Sequence, residues 1–311
     1  MRWSFRPAKV GDLPACQRML ANWAPFAFDD EILAALPNIW QQLLARKALV
    51  MTVFEDLDLP QNKRLGGLGL GVFIDHSVIA QILADPKPYL VNRIYQSCLE
   101  GDSWPLEFSK VRQANSASGV NLVVDAAFFT HDWLHLKLLP LFSIAQDAFH
   151  FEYYGYRFRC ILQEVYGEKA RDFLLAIGFK TYRAYPEARA GQCPFLMGLT
   201  REDALSRAGS SLAFYFAAPA PRFYFRPSQQ ELLRLALRNV CDQEASKELG
   251  VSINTIKRLW KDIFEHVEDI DPAWFPGKIR DLNRRGAEKR RHLLDYLAHH
   301  LEELRPWLKA D

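Results

Sequence analysis

An α/β sheet domain followed by an all-α domain is the architecture this sequence predicts, and three observations carry it. Short apolar runs with period-two alternation recur through the first two-thirds of the chain, interleaved with helix-period stretches. Beyond about residue 227 the strand signal stops and only helical periodicity remains. Between the two regimes lies a segment bearing Pro219, Pro221 and Pro227, the composition of a boundary. A length of 311 residues agrees with about two domains. The expected division is 1–207 for the α/β domain and 208–226 for a linker or docking strand. A compact helical domain follows over 227–268, and a basic helical extension over 269–311.

Residues 3–8 alternate as a strand, and Asp12 is placed to cap a helix over 13–23. A second helix is expected over 31–46. Residues 49–55 and 65–74 then read as a strand pair joined by the polar loop DLDLPQNKR. In the second of these strands alternation puts Gly67, Gly69 and Gly71 on one face, where a helix or a ligand could approach the backbone, packing being the favoured cause. Helical segments near 78–83 and 90–99 precede a strand at 121–129. A long helical region over 133–149 leads to a strand at 157–165 and a helix over 168–177. After the turn Gly178-Phe179 come strands at 180–185 and 195–199. The apolar run 212–216 reads as a further strand docked on this domain.

The helical third opens at Ser228-Gln229-Gln230-Glu231, the spacing of a capping box, and continues through Leu232, Leu233, Leu235 and Ala236. Asp242 is placed to cap a short helix containing Ala245 and Leu249, and Gly250 stands where a turn needs positive φ. Ser252 then caps a third helix over 252–267. On a 3.6-residue wheel Ile256, Trp260, Ile263 and Val267 share one face. Asn254, Lys257, Arg258 and Lys261 share the opposite face, with Thr255 at its flank. Cations in that arrangement meet phosphates, while Asn and Arg can bond to base edges in the major groove. A helical hairpin with a solvated charged face is the plainer reading. Further on, Pro272 and Pro276 mark irregular chain, and a last helix begins near Ala287. There Leu294, Leu297, Leu301, Leu304 and Leu308 have 3,4,3,4 spacing, which suits packing on the helical domain or, less favoured, a short coiled-coil seam between two copies.

Two resemblances attach to these residues. The stretch from Gln243-Glu244-Ala245-Ser246-Lys247-Glu248-Leu249-Gly250-Val251-Ser252 to Asn254-Thr255-Ile256-Lys257-Arg258 resembles the LuxR/GerE-type helix-turn-helix of bacterial transcription regulators over roughly 225–267. It departs from that family at Leu259, usually His, and at Trp260, usually Leu. Sigma-factor region-four domains share the architecture, so RNA polymerase stands beside duplex DNA as an expected partner. The resemblance implies Asn254, Lys257 and Arg258 as base or near-base contacts and Thr255 and Lys261 as backbone contacts.

The opening Phe5-Arg6-Pro7-Ala8-Lys9-Val10-Gly11-Asp12-Leu13 and the segment Glu168-Lys169-Ala170-Arg171-Asp172-Phe173-Leu174-Leu175-Ala176-Ile177-Gly178-Phe179-Lys180 are similar to the GNAT acetyltransferase superfamily over about 1–199. Two working parts of that family are not matched. The stretch 129–137, where a Gly-containing loop would aim backbone N–H groups at the acetyl-CoA pyrophosphate, holds no glycine. The position of the general-acid Tyr is Leu174, which has no proton to give. The expectation is therefore a non-catalytic domain with no catalytic residues and no cofactor, retained as a sensor or assembly module.

Composition bounds the rest. Hydrophobic residues at 49% and aromatics at 13% support a sizeable core, and a net charge of +2 does not by itself point to nucleic acid. Residues 278–291 are locally basic, with seven Lys/Arg against Asp281 and Glu288, a solvated face or an auxiliary phosphate contact in equal measure. Five scattered cysteines with no C-x-x-C pair give neither a disulfide framework nor a zinc ribbon. His131 and His135 have i,i+4 metal-pair spacing but no third ligand, so no metal is assigned. The aromatic run 149–156 suits core packing better than a ligand pocket. With no signal-peptide pattern and no apolar stretch long enough to span a bilayer, a cytoplasmic protein is expected.

The functional expectation is a DNA-binding transcriptional regulator with helix 252–267 in the major groove, able to dimerise and to answer to an unidentified small-molecule effector. Its rivals are an active N-acetyltransferase fused to a helix-turn-helix, and a helical domain used for protein interaction.

Overall fold

The computed structural model describes residues 2–24, 27–102, 104–129, 139–188, 193–206, 212–275 and 285–309. Its contacts divide the chain into two units. One comprises Met1–Tyr153 and Arg157–Ala217, the other Ala218–Asp311 and the turn Tyr154–Tyr156.

The described residues of the first unit form a seven-stranded sheet ordered β1-β2-β3-β4-β5-β7-β6. The strands are β1 (Trp3–Pro7), β2 (Leu49–Asp56), β3 (Leu65–Ile74), β4 (Val120–Phe129), β5 (Phe158–Tyr166), β6 (Lys180–Ala184) and β7 (Pro194–Thr200). Around them lie α1 (Leu13–Trp23), α2 (Asp30–Ala45), α3 (His76–Ala84), α4 (Leu90–Leu99), α5 (Phe108–Ser116), α6 (Leu139–Tyr153), α7 (Glu168–Ala176), α8 (Arg201–Ser206) and α9 (Ala213–Phe216). Strands β1 to β4 form an antiparallel meander. The pair β4–β5 is parallel, so the chain must cross over between them, and α6 is the crossover element. The main core lies on one face of the sheet, where Leu36, Trp40, Ile94 and Tyr95 of α2 and α4 pack with Val53, Leu70, Val123 and Leu162. A smaller core on the α6 side joins Leu141 and Ala148 to Phe54 and Phe129.

Two helices of this unit, α5 and α8, have no counterpart in the sequence expectation. Helix α5 buries only Val111 and Asn115, too thin an apolar stripe to register as periodicity. The strand expected over 212–216 is instead the single helical turn α9. Its consecutive residues Tyr215 and Phe216 are both buried, which a strand pointing successive side chains to opposite faces would not achieve against one surface. Part of the expected helix over 133–149 lies outside the described residues, and α6 runs on to Tyr153.

The second unit is all-helical, with α10 (Pro227–Leu237), α11 (Asp242–Glu248), α12 (Ile253–Ile270) and α13 (Arg285–Leu297), followed by a 3₁₀ turn at Leu301–Leu304. Helix α10 starts one residue before the expected cap. Pro227 takes the first helical position, where its missing N–H costs nothing, and Gln229 accepts the backbone N–H of Arg226 at 2.9 Å. Cys241, not Asp242, is the cap residue of α11. Ser252 does cap α12, its Oγ accepting the Thr255 N–H at 3.1 Å. Ile256, Trp260, Ile263 and Val267 are the buried face of α12, each such side chain stabilising the fold by about 1.5–3 kcal/mol.

The leucines over 294–308 follow the favoured reading of packing within the helical unit, with Leu297, Leu301 and Leu304 buried, but not as one continuous helix. Helix α13 stops at Leu297, Leu301 and Leu304 continue in a 3₁₀ turn, and Leu308 is exposed. What organises this end is Glu303, fully buried, whose carboxylate accepts the N–H groups of Arg222 (2.7 Å) and Phe223 (3.0 Å) and the Tyr296 hydroxyl (3.0 Å). The turn Tyr154–Tyr156 is held to the same end, Tyr154 O accepting from Arg305 Nε at 2.5 Å and Gly155 O from Trp307 Nε1 at 3.2 Å.

Gly119, at the entry to β4, has φ +98°, and a Cβ there would stand 2.5 Å from the Arg157 carbonyl oxygen. Gly119→Ala is therefore expected to lower the unfolding free energy by about 1–3 kcal/mol, read from the urea midpoint at unchanged m-value.

Candidate functional site

Strand β4 pairs with β3 along its length, but the register shifts between Leu70 and Gly71, which pair with Ala126 and Val124. Asp125 is left over as a bulge residue. On its other side β4 pairs with β5 only from Val120↔Phe158 to Val124↔Gln163. From Asp125 onward the two central strands part, and β5 continues against β7. A sheet is rarely open in its middle, because the unpaired backbone groups need partners. Here the gap is a place where another molecule can lie.

On the α6 side the parting opens into a cavity of about 420 Å³. Val124 and Ala127 of β4 and Ile161 and Gln163 of β5 line it, and so do Phe142 of α6 and Phe173 of α7, whose rings pack edge to face at 5.6 Å between centroids. The walls are mostly carbon. Ala127 is exposed although it lies within a central strand, as an open cleft requires. Leu174, the residue at the expected acid position, is buried and lines this cleft. So does Tyr215 of α9, the one phenol among its described lining residues. Burial pushes the Tyr215 hydroxyl well above the usual tyrosine range, with Asp147 adding to the effect, so it keeps its proton at neutral pH. Phe149 and His150 also line the cleft, so part of the aromatic run serves a cavity as well as the core.

On the α4 side stand two buried acids. Asp125 is 8% exposed, and its Oδ2 accepts the Tyr95 hydroxyl, which in turn accepts Trp40 Nε1 at 2.9 Å. Among the described residues Asp125 Oδ1 is buried with no hydrogen-bond partner. Burial pushes the Asp125 carboxyl up to about 7, against the pull of the Tyr95 bond. Glu164 of β5 is also pushed to about 7 by burial. Both of its oxygens are used, Oε1 by the Tyr166 hydroxyl at 2.8 Å and Oε2 by the Leu90 N–H at 3.2 Å. Glu164 thus serves the free N–H groups at the start of α4. The residue before that helix, Tyr89, has φ +60°, a strained conformation for a bulky side chain. Of the two acids, only Asp125 has an oxygen to spare.

Neither acid was singled out from the sequence. The signal was there: Asp125 interrupts the apolar run NLVVDAAFF, and a charge within a buried strand is costly unless it has a task. The loop on which the loss of the pyrophosphate site was argued, together with His131 and His135, falls mainly in 130–138, outside the described residues. Among the described residues no group of three or more His, Cys, Asp or Glu could hold a metal ion, and no helix is long and apolar enough to cross a membrane.

In the second unit Asn254, Lys257, Arg258 and Lys261 are exposed on α12 and Thr255 is half-buried beside Ser252. Lys261 lies 3.5 Å from Glu265. Gly250, with φ +64°, makes the turn between α11 and α12. Trp260 is buried, its Nε1 reaching Asp242 at 3.3 Å. Arg290 completes the trio, bonding Asp242 at 2.8 Å and lying 4.3 Å over the Trp260 ring. Lys289 is paired with Glu268 at 2.6 Å. These two cations of the basic run therefore brace α13 against α11 and α12, while 276–284 lie outside the described residues.

Comparison with protein-family models gives no match, and neither does comparison with curated proteins. Solved structures do match. They include an acetyltransferase from Corynebacterium glutamicum (12% identity, 64% of this chain and 96% of that one, TM-score 0.36). NAA60 of Arabidopsis thaliana with acetyl-CoA matches at 12% identity over 64% and 99%, TM-score 0.39. A spermidine N-acetyltransferase chimera from Vibrio cholerae and human sequences matches at 13% identity over 67% and 100%, TM-score 0.38. The first unit is a mixed sheet with flanking helices. The second unit is all-helical, and no family model assigns it to the LuxR/GerE type.

The expectation that the chain is not an enzyme is corrected. The structures it matches are acetyltransferases, and the two absences behind that expectation are local ones. One lies in undescribed residues. The other concerns a single position, Leu174, in a cleft that also holds Tyr215.

The pH dependence of stability follows from Asp125. Its carboxyl titrates near 7 in the folded chain and near 4 when unfolded, so between those values the folded state binds more protons. Stability should therefore fall as pH rises from about 4 to 7, with Glu164 contributing in the same sense. Asp125→Asn is expected to flatten the Asp125 share of that slope in thermal melts from pH 4 to 8. An unchanged slope would refute the assignment.

Proposed function

We propose that the first unit is an acyl-CoA-dependent N-acyltransferase and that the helical unit binds duplex DNA. The observation that carries the first part is the parting of β4 from β5 at a bulge whose residue, Asp125, keeps one carboxylate oxygen unbonded among the described residues. Acyl-CoA is the donor that the GNAT resemblance implies. The cleft fits its pantetheine arm in being largely apolar and in lying where β4 and β5 stop pairing. The acceptor amine would approach from the α4 side. Asp125, titrating near 7, is matched to take up the proton the amine releases, directly or through one water. Tyr215, which keeps its proton, is suited to donate a hydrogen bond to the departing thiolate, which takes its proton from water. The resulting balance is an amide and a free thiol from an amine and a thioester.

The DNA reading rests on a different observation, the two-faced α12. Its apolar face is wholly buried, while Asn254, Lys257 and Arg258 stand exposed near its capped N-terminus, with Lys261 one turn further on. A helix so presented after a Gly turn suits the major groove, with Asn254, Lys257 and Arg258 at or near base edges and Thr255 and Lys261 toward the backbone. RNA polymerase contact, dimerisation and an effector remain proposals attached to this reading.

Calorimetry with acetyl-CoA on the full chain is expected to give saturable binding, and Asp125→Asn to lower transfer to amine acceptors by about 10²–10⁴-fold with donor affinity kept. No binding of any CoA thioester would overturn the enzymatic reading. For DNA, Arg258→Ala should relax sequence preference, whereas Lys261→Ala should weaken all duplexes and lower the salt slope by about one. Identical slopes for wild type and both variants would count against these roles.

A further inference from the structure

Beside the cleft lies a second, smaller cavity of about 70 Å³ under α6. The two cavities share Val124, Ala127, Ala145 and Phe149 as walls. The inner one is lined almost wholly by carbon, and room for it is made by small residues on both of its sides, Gly69 and Ala126 of the sheet and Ala148 of α6. Its far end is closed by aromatics. The Phe54 and Phe129 rings lie 4.7 Å apart, and Trp3 packs edge-on against Phe129 at 5.5 Å. An apolar recess inside a close-packed domain costs dispersion contacts along its lining. It persists here beside the point where β4 leaves β5, where a donor thioester would lie.

We infer that the acyl donor is longer than acetyl, a short straight-chain acyl-CoA of about four carbons whose tail occupies the inner cavity. This rests on the N-acyltransferase reading and deepens it. The length follows from the volume. An apolar cavity of about 150 Å³ takes a benzene ring of about six carbons. One of about 70 Å³ therefore takes roughly three carbons beyond the carbonyl. Charged acyl groups are disfavoured, because the surface that the walls present is almost wholly apolar, although Thr52, Glu152 and Tyr153 are among the lining residues.

The test is calorimetry of the full chain with CoA, acetyl-CoA, butyryl-CoA and decanoyl-CoA. Burial of each methylene is worth about a fourfold change in Kd, so butyryl-CoA should bind about 15-fold more tightly than acetyl-CoA. Ala148→Leu fills the cavity and should bring the butyryl-to-acetyl Kd ratio close to one. Gly69→Ala is the milder variant should that one fail to fold. Its methyl would rest in ordinary contact, 3.6 Å from Phe54 Cε2, and it should reduce the ratio in part. Equal affinity for acetyl- and butyryl-CoA in the wild type, or a gain that continues to decanoyl-CoA, overturns this inference while leaving the acyltransferase reading in place. Failure of all four to bind overturns both.

Discussion

The parting of β4 and β5 is the constraint on which the rest of the first unit depends. Two parallel strands stay together over the first half of β4 and then diverge at the Asp125 bulge. That divergence exposes strand edges in the middle of a sheet, where they would ordinarily be paired. It is tolerated because helices cover both faces and because the gap opens into a lined cleft instead of bulk solvent. The bulge also turns an acidic side chain into the apolar α4 side, where, among the described residues, its one hydrogen bond comes from Tyr95, itself held by Trp40. Geometry and electrostatics at this point have one cause.

Asp125 and Glu164 illustrate how similar burial gives different chemistry. Both carboxyls are driven toward neutral pH by loss of water. Glu164 is recovered by a structural task, holding the start of α4 through Leu90 with Tyr166 on its other oxygen. Among the described residues Asp125 is bonded on one oxygen only. A spare acceptor in a buried carboxylate is expensive unless something else meets it, and this is why the catalytic proposal falls on Asp125 and not on the better-connected acid.

The helical unit follows a separate logic. Asp242 sits beside the start of α11, but its carboxylate is spent on Trp260 and Arg290 instead of on the helix end. That trio, with the Lys289–Glu268 pair, ties α11, α12 and α13 together and leaves the opposite side of α12 to its exposed Asn and cations. The tryptophan that looked like a departure from a helix-turn-helix pattern is thus a packing element, with a cation above it and a carboxylate at its edge.

Local pattern alone determined much of this chain. Alternation located the seven strands of the described residues, and 3.6-residue periodicity with a serine cap placed α12 and its buried face, because both signals arise within a few residues of one another. Where the pattern was thin or contradicted by non-local contacts, it failed: α5 was invisible, the LAFYF segment became a helical turn, and the helix bearing the leucine spacing ended at Leu297. The candidate site lay further still from local signals. Only tertiary structure brings Asp125 against Tyr95, thirty positions away, and sets Tyr215 beside Phe173 and Leu174 in one cleft. Burial, and with it the rise of a carboxyl toward 7, is a property of everything packed around a residue, and no window of sequence contains it.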